Sequence, residues 1–226
     1  MRSLFLLVLL FLTFSFTPAQ TRQEAIERLN ALKQEAGNLE QTIISPAKED
    51  ISAAAKENVN VFRILPRETY DKDFFSVRGG GAYYSFSRKS HSYNDTPQLG
   101  LEQNNLGVGF YGASYGFITN LGDISLSEVS LQTPGVTFLA NYQAPREEPL
   151  ARQEYYKIGY GLEIDGTTYK TRVPATVGKT YVLRAVSFDE ADTLVAFRIY
   201  RKDTDGSLIV FWKLLQNFEK PVLARN

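Results

Sequence analysis

The feature that most constrains the fold is a change in the spacing of apolar residues near residue 59. Before it, apolar residues in 21–43 recur every three or four positions, the period of an amphipathic helix. After it, the stretches VNVFRIL, KTYVLRAVSF, TLVAFRIYRK and SLIVFWKLL alternate or are continuously apolar, as strands are. The pattern predicts a mainly β fold, an antiparallel sandwich or partly open barrel, with an N-terminal helical segment.

The first 19 residues have the layout of a secretory signal peptide. Arg2 precedes an apolar run at 4–16, and small residues at 17 and 19 suit a cleavage site. The run is shorter than the ~20 residues that a helix needs to cross a bilayer. We therefore expect cleavage between Ala19 and Gln20, export to a bacterial periplasm or the cell exterior, and no transmembrane helix afterwards. Retention of the segment as an anchor is the alternative.

The remaining chain divides by composition into a helical part and a β-rich part. We predict a helical stem or hairpin at 20–58 and a β domain at 59–226, with the stretch QAPREEPLARQ as a candidate boundary at 144–153. The apolar seam at 21–43 spans only about two and a half heptads, fewer than a coiled coil needs. Packing of this helix on its own domain is therefore favoured over self-association.

Composition excludes several classes of function. The chain has no cysteine and one histidine, which rules out disulfides and thiolate sites and argues against zinc. Lys and Arg total 25, as do Asp and Glu, so no net charge attracts nucleic acid. A Ser-His-Asp arrangement would have to use His91, which we interpret as a solvated loop residue. We predict no cofactor, no metal site and no catalytic set.

The stretch YYKIGYGLEI at 155–164 shows the clearest two-residue alternation and predicts a half-buried strand. Asp165 and Gly166 then predict a tight turn into a hairpin partner. Glu163 falls on the polar face of this strand. A glycosidase needs two carboxylates across a cleft, and Glu163 is the one acid placed for such a role. The sequence does not identify its partner.

The stretch VRGGGAYYSFSRKSH at 77–91 is the most unusual. Its glycines lie between two predicted strands, where they favour a bend or bulge over a phosphate-binding loop. Tyr83 and Tyr84 are expected on opposite faces of the strand that follows. The candidate ligand-binding residues of this segment are Arg78, Tyr83, Tyr84, Arg88 and His91. The alternative is that rings and glycines here simply pack across a sheet.

These features favour an exported, non-enzymatic binding or structural module of the cell envelope. Its partner would be an envelope protein or a glycan. One alternative is a secreted glycan-acting hydrolase that uses an Asp/Glu pair. A second is a small outer-membrane β-barrel, because glycine and aromatic residues alternate in several strands.

Overall fold

The computed structural model describes residues 21–69, 80–110 and 114–224. The chain forms two compact units, divided between Asn38 and Leu39. The helices in the described ranges are α1 (Arg22–Ile44), α2 (Lys48–Lys56), α3 (Thr137–Asn141) and α4 (Glu148–Tyr160). The strands are β1 (Asn60–Ile64), β2 (Tyr83–Tyr84), β3 (Leu99–Glu102), β4 (Asn105–Gly107), β5 (Tyr115–Gly122), β6 (Leu162–Ile164), β7 (Thr167–Tyr169), β8 (Arg172–Pro174), β9 (Thr180–Ser187), β10 (Ala191–Lys202) and β11 (Leu208–Phe218).

The predicted antiparallel sandwich with an N-terminal helix is confirmed. A five-stranded sheet has the order β1-β11-β10-β9-β5, and a four-stranded sheet has the order β2-β3-β4-β8. The pairings in both sheets are antiparallel. The hairpin predicted from Asp165 and Gly166 is also present, as the separate pair β6-β7.

The five-stranded sheet is buried on both faces, which explains why its strands are apolar almost throughout. One face packs on the four-stranded sheet, and the core between them includes Leu183, Phe197 and Trp212. The other face packs on helices and turns, through Val182, Ala196, Phe211 and others. All eight residues of β9 are buried. Since successive side chains of a strand point to opposite faces, both sets of alternating positions are mostly apolar here.

The prediction of a strand over 155–164 is wrong for most of its length. Residues 148–160 form α4, and the strand that follows is only β6. Pro149 lies in the first helical turn, where its missing N–H costs nothing, and the helix buries Ala151 and Ile158, seven residues apart. Most residues on the buried face of this helix are small or polar, so its helical spacing is weak in the sequence. The alternating tyrosines indicated a strand instead. The stretch QAPREEPLARQ comprises the approach to this helix and its first six residues, 148–153.

The two N-terminal helices differ in how they present their apolar residues. In α1 the side chains of the predicted stripe are 40–61% exposed, namely Ile26, Leu29, Leu32, Leu39 and Ile43. In α2, Ala54 belongs to the core on the helical side of the sheet. Asp50 is 1% exposed and accepts two hydrogen bonds from Arg201 of β10, at 2.7 and 3.0 Å. No helix of the described residues is long and apolar enough to cross a bilayer.

Two glycines confirm the prediction that glycine makes room where side chains would collide. Gly81 has φ +76°, and a Cβ there would lie 2.8 Å from Ile44 Cγ2 and 2.9 Å from Leu65 Cδ1. Gly100 of β3 lies under the ring of Phe110, whose Cζ would be 2.8 Å from an added Cβ. A larger residue at either position would therefore displace its neighbours.

Candidate functional site

Two of the predicted binding residues, Tyr84 and His91, lie between the sheets. Tyr84 is 5% exposed and stacks on Phe62, with 3.7 Å between ring centroids. The partly buried His91 ring lies 5.0 Å from the Tyr84 ring, and its Nε2–H donates to the Arg63 carbonyl at 2.6 Å. Burial raises the pKa of Tyr84 to about 12 and lowers the pKa of His91. The interpretation of His91 as a solvated loop residue is therefore wrong.

Tyr83 points to the other face of the small sheet, as its alternation with Tyr84 predicted. It is 9% exposed and packs edge-to-face with Tyr93 at 4.9 Å and Phe110 at 5.1 Å. Edge-to-face contacts of this kind stabilise aromatic clusters. The two tyrosines of β2 therefore line two packed regions, and their assignment to a ligand stays a prediction.

The remaining predicted residues divide between exposed and undescribed positions. Arg88 is exposed and lies 3.9 Å from Glu190, a distance and exposure at which an ion pair contributes little. Arg78, Ala19 and Gln20 lie outside the described residues. The structure therefore brings Tyr84 and His91 together and places Tyr83 and Arg88 elsewhere.

One cleft, of about 520 Å³, lies beside the C-terminal segment; we call it the Arg184 cleft. It is lined by Gln143, Ala144, Arg146, Arg184, Asp192, Phe218 and residues 219–224. The guanidinium of Arg184 donates to Asp192 at 2.9 and 2.7 Å and to the carbonyls of Leu139 and Tyr142. It also lies 3.6 Å above the Phe218 ring.

The two buried charges of the Arg184 cleft, on Arg184 and Asp192, pair with each other. The side chains of Arg184 and Asp192 are each 3% exposed. The guanidinium satisfies backbone carbonyls at the C-terminal end of α3, which lack partners within the helix. Asp192 is therefore a buried acid, although it follows the acidic turn at 189–190. We assign this ion pair a structural role.

A buried chain of hydroxyl groups lies on the same side of the sheet. The hydroxyls of Tyr115 and Tyr142 are 2.7 Å apart, and Tyr142 donates to Glu154 at 3.2 Å. Glu154 in turn pairs with Lys157 at 2.8 Å. Burial raises the pKa of Tyr115 and of Tyr142, which keeps both phenols protonated. This chain ties α4 to β5.

A second cleft, of about 630 Å³, combines exposed polar groups with an exposed aromatic ring. We call it the Tyr200 cleft. Four parts of the chain form it: the junction between α2 and β1, the 123–127 segment, the turn before β9, and strands β10 and β11. Its lining consists of Glu57, Val59, Asp123, Ser125, Leu126, Ser127, Gly178, Arg198, Tyr200 and Phe211.

An irregularity in β10 places the aromatic ring of this cleft. The pairing with β11 shifts between Ile199 and Arg201, so Tyr200 lies at a bulge. Tyr200 stacks on Phe211, and the next residue, Arg201, reaches Asp50 of α2 on the same side of the sheet. A bulge re-aims side chains in this way, and bulges are frequent beside active sites. The ring centroids of Tyr200 and Phe211 are 4.2 Å apart, with 9° between the planes.

The polar wall of the Tyr200 cleft is held rigidly. Arg198 donates to Asp123 Oδ1 at 2.7 Å, to the Ile124 carbonyl at 3.0 Å and to Thr180 Oγ1 at 3.2 Å. The hydrogen bond from Arg198 lowers the pKa of Asp123, and its positive charge adds to the effect. The Asp123 side chain nevertheless stays 66% exposed. An ionised acceptor in a fixed position thus faces solvent.

The turn beside Asp123 is fixed by its own capping. Ser125 Oγ accepts from the Ser127 N–H at 3.2 Å, and the Ser125 N–H donates to Glu128 at 2.9 Å. This reciprocal arrangement is a capping box, which satisfies the free N–H groups of a helical turn. The hydroxyl of Ser127 is therefore presented to the cleft by a defined backbone.

The acidic residues singled out from the sequence lie in other places. Glu163 is exposed on β6. Asp203 is engaged by Arg63 at 2.9 Å and Arg201 at 2.8 Å, in the predicted turn before β11. Within the described ranges, no group of three or more His, Cys, Asp and Glu residues is arranged to hold a metal ion.

Comparison with known proteins gives no relative from which a function could be transferred. No protein-family model matches the chain, and neither a curated protein nor a solved structure is significantly similar to it. The site must therefore be argued from its own geometry.

Sequence reasoning missed the Tyr200 cleft because its parts are far apart in the chain. Glu57, Asp123 and Tyr200 come from three segments that pattern analysis treats separately. One signal was available: Arg198 and Tyr200 are polar or amphipathic residues within an otherwise apolar strand. Such an interruption on a buried strand indicates that its face is not fully covered there.

Proposed function

We propose that this chain is an exported binding module of the bacterial envelope, which holds a ligand and does not transform it. The observation that carries the proposal is the Tyr200 cleft, where an exposed aromatic ring and exposed polar groups line one concave surface. A pocket with an apolar floor and a few fixed polar groups is the usual form of a small-ligand site. The signal-like sequence at 1–19 supports export.

The chemistry of the cleft favours binding over catalysis. Asp123 is held by Arg198, which lowers the pKa of Asp123. A general acid needs the opposite shift, toward neutrality. The fixed carboxylate is well suited to accept hydrogen bonds from a ligand.

Export and binding can be tested separately in cells that express the full chain. For export, mass spectrometry of the recovered protein should find an N-terminus at Gln20, in the periplasmic or extracellular fraction. An intact N-terminus in the cytoplasmic fraction would contradict export.

For binding, a photo-crosslinking amino acid is placed at position 127, in the cleft, and at position 163 as a control. Both Ser127 and Glu163 are exposed, but only Ser127 lines the cleft. We expect adducts at 127 that are absent at 163. Identical products at the two positions would show that the cleft has no special affinity.

A hydrolase is the second candidate, and one observation favours it: Glu57 and Asp123 line the same cleft. Glycosidases use a pair of carboxylates across such a cleft, with one of them acting as acid. Under this alternative, the mature protein releases reducing ends from a polysaccharide, and Glu57→Gln abolishes the release. Glu163→Gln serves as the matched control outside the cleft. Release that survives Glu57→Gln would remove the candidate.

A further inference from the structure

We propose that the Tyr200 cleft binds a saccharide without acidic groups, with the Tyr200 ring as stacking platform and the Asp123 carboxylate as acceptor for sugar hydroxyls. This inference rests on the proposed binding function and names the class of its ligand.

The platform is the first argument. Tyr200 is 42% exposed, whereas Phe211 beneath it is 1% exposed. The near-parallel stack at 4.2 Å fixes one face of the Tyr200 ring against Phe211, so the opposite face is the one available to a ligand. Sugar rings carry C–H groups on one flat face, which match an aromatic surface. A tyrosine already held in place loses little conformational entropy when a ligand stacks on it.

The second argument is the hydrogen-bonding capacity of the wall. Asp123 Oδ1 accepts from Arg198, while Oδ2 receives no hydrogen bond from any residue in the described ranges. An ionised carboxylate forms hydrogen bonds roughly twice as strong as a neutral acceptor. Sugar hydroxyls are donors that can use this oxygen. The hydroxyl of Ser127 adds a group that can donate or accept.

Charge restricts the ligand further. Glu57 and Asp123 bring two carboxylates to the cleft lining, and the one cation among the described residues of that lining is Arg198. Arg198 already donates to Asp123, Ile124 and Thr180, and the nearby charge of Lys179 also acts on Asp123 by lowering its pKa. The acidic group of a phosphorylated ligand or a uronic acid would be repelled where it approaches the two carboxylates. A neutral or amino sugar would not.

The size of the cleft agrees with such a ligand. Its volume of about 630 Å³ lies within the range of roughly 300–1,000 Å³ that is usual for small-ligand sites. Val59 and Leu126 form an apolar floor beside Phe211. The arrangement therefore combines one stacking surface with polar groups at its margin, which is what an amphipathic sugar ring requires.

The test measures binding of the mature chain to defined oligosaccharides by isothermal titration calorimetry. The probes are cellohexaose, chitohexaose and maltohexaose, with hexagalacturonate as the acidic comparison. We expect at least one non-acidic probe to bind and the acidic one not to bind. Tyr200→Ala should weaken the affinity by at least about tenfold, and Tyr200→Phe, which keeps the ring, should retain most of it. Asp123→Asn should weaken it to a lesser extent, because a neutral amide is a poorer acceptor.

Tyr156→Ala provides the matched control, since Tyr156 is 62% exposed on α4 and does not line the cleft. The Tyr156→Ala variant should bind the saccharide with the same affinity as the wild type. Thermal unfolding of each variant establishes that it is folded. Failure of all three non-acidic probes, equal binding of hexagalacturonate, or a Tyr200→Ala variant with unchanged affinity would each overturn the inference. If crosslinked adducts form specifically at position 127 but no saccharide binds, the proposed binding function is supported and the proposed saccharide ligand is contradicted.

Discussion

Phe211 and Trp212 are neighbours on β11, but their side chains face opposite sides of the five-stranded sheet. On the Trp212 side, which we call the closed side, the rings of Phe62, Tyr84 and Phe86 are enclosed between the two sheets, and none is more than 5% exposed. On the Phe211 side, which we call the open side, helices and turns leave Tyr200 42% exposed. Aromatic residues that are buried between the two sheets stabilise the fold. Those left partly exposed on the other face can contact a ligand.

The largest effect is expected from Tyr84→Ala on the closed side. Removing this ring leaves a cavity against Phe62 and His91, and we expect the free energy of unfolding to fall by about 3–5 kcal/mol. Chemical denaturation followed by tryptophan fluorescence measures the loss. A loss below about 1 kcal/mol would mean that the closed side is less tightly packed than the contacts indicate.

Gly116→Ala should rank second, because it overpacks the closed side. An added Cβ would lie 2.4 Å from Val108 Cγ2 and 2.6 Å from the Arg184 carbonyl, which is backbone and cannot rotate away. We expect destabilisation of about 1–3 kcal/mol. Gly37→Ala in α1 is the same change with nothing within 4 Å of the new methyl, and it should cause no loss. Equal effects of the two substitutions would show that close packing is not the cause.

His91 should make the stability of the closed side depend on pH. Burial lowers the pKa of His91, so the unfolded chain takes up the proton first as the pH falls below the unfolded value of about 6.5. Its contribution is fully present above that value and decreases as pH falls toward the folded pKa. Denaturation at several pH values should show that the free energy of unfolding decreases more steeply with falling pH in the wild type than in His91→Gln. Parallel curves would mean that this histidine is not the group responsible.

Tyr200→Ala should change stability by less than about 1 kcal/mol, since 42% of this residue is already exposed to water in the folded protein. The same variant is expected to lose ligand affinity. Tyr200→Ala should thus lower ligand affinity strongly and stability little, whereas Tyr84→Ala should lower stability strongly. A stability loss as large as that of Tyr84→Ala would remove the distinction between open and closed sides.

Arg88→Ala should have the smallest effect, within about 0.5 kcal/mol of the wild type. The residue is 64% exposed, and its distance of 3.9 Å to Glu190 is long for an ion pair. Denaturation midpoints measured at low and high salt provide the check. A larger, salt-dependent loss would indicate a tighter ion pair than this distance implies.

The strands that were predicted correctly are those whose pattern leaves one interpretation. From 180 to 218, continuous apolar runs separated by DEAD and DTDG predict long strands, and the structure has β9, β10 and β11 there. In α4 the spacing of tyrosines obeyed a two-residue period by coincidence. Its buried face rests on Ala151 and Ile158, with half-buried Glu154 between them. Periodicity in a sequence is detected from large apolar residues, whereas a helix can pack through small residues such as Ala151.

The candidate site could not be predicted because exposure is a property of the assembled layers. Tyr84 and Tyr200 have equivalent patterns in sequence, each in a stretch of alternating residues with an arginine nearby. Their difference arises from what covers them: the five-stranded sheet packs over Tyr84 of β2, whereas only the 123–127 turn and the end of α2 lie beside Tyr200. The bulge that orients Tyr200 is a register shift between two strands, which no single stretch of sequence encodes.

The strand order of the large sheet also determines when it can form. Among the strands in the described ranges, β1 comes first and β11 last; the two pair with each other, and their neighbours β9 and β10 also lie near the end. A polypeptide that leaves the ribosome amino end first must therefore be almost complete before its central sheet can close. Until β11 has been made, β1 lacks its partner and the five-stranded sheet stays incomplete.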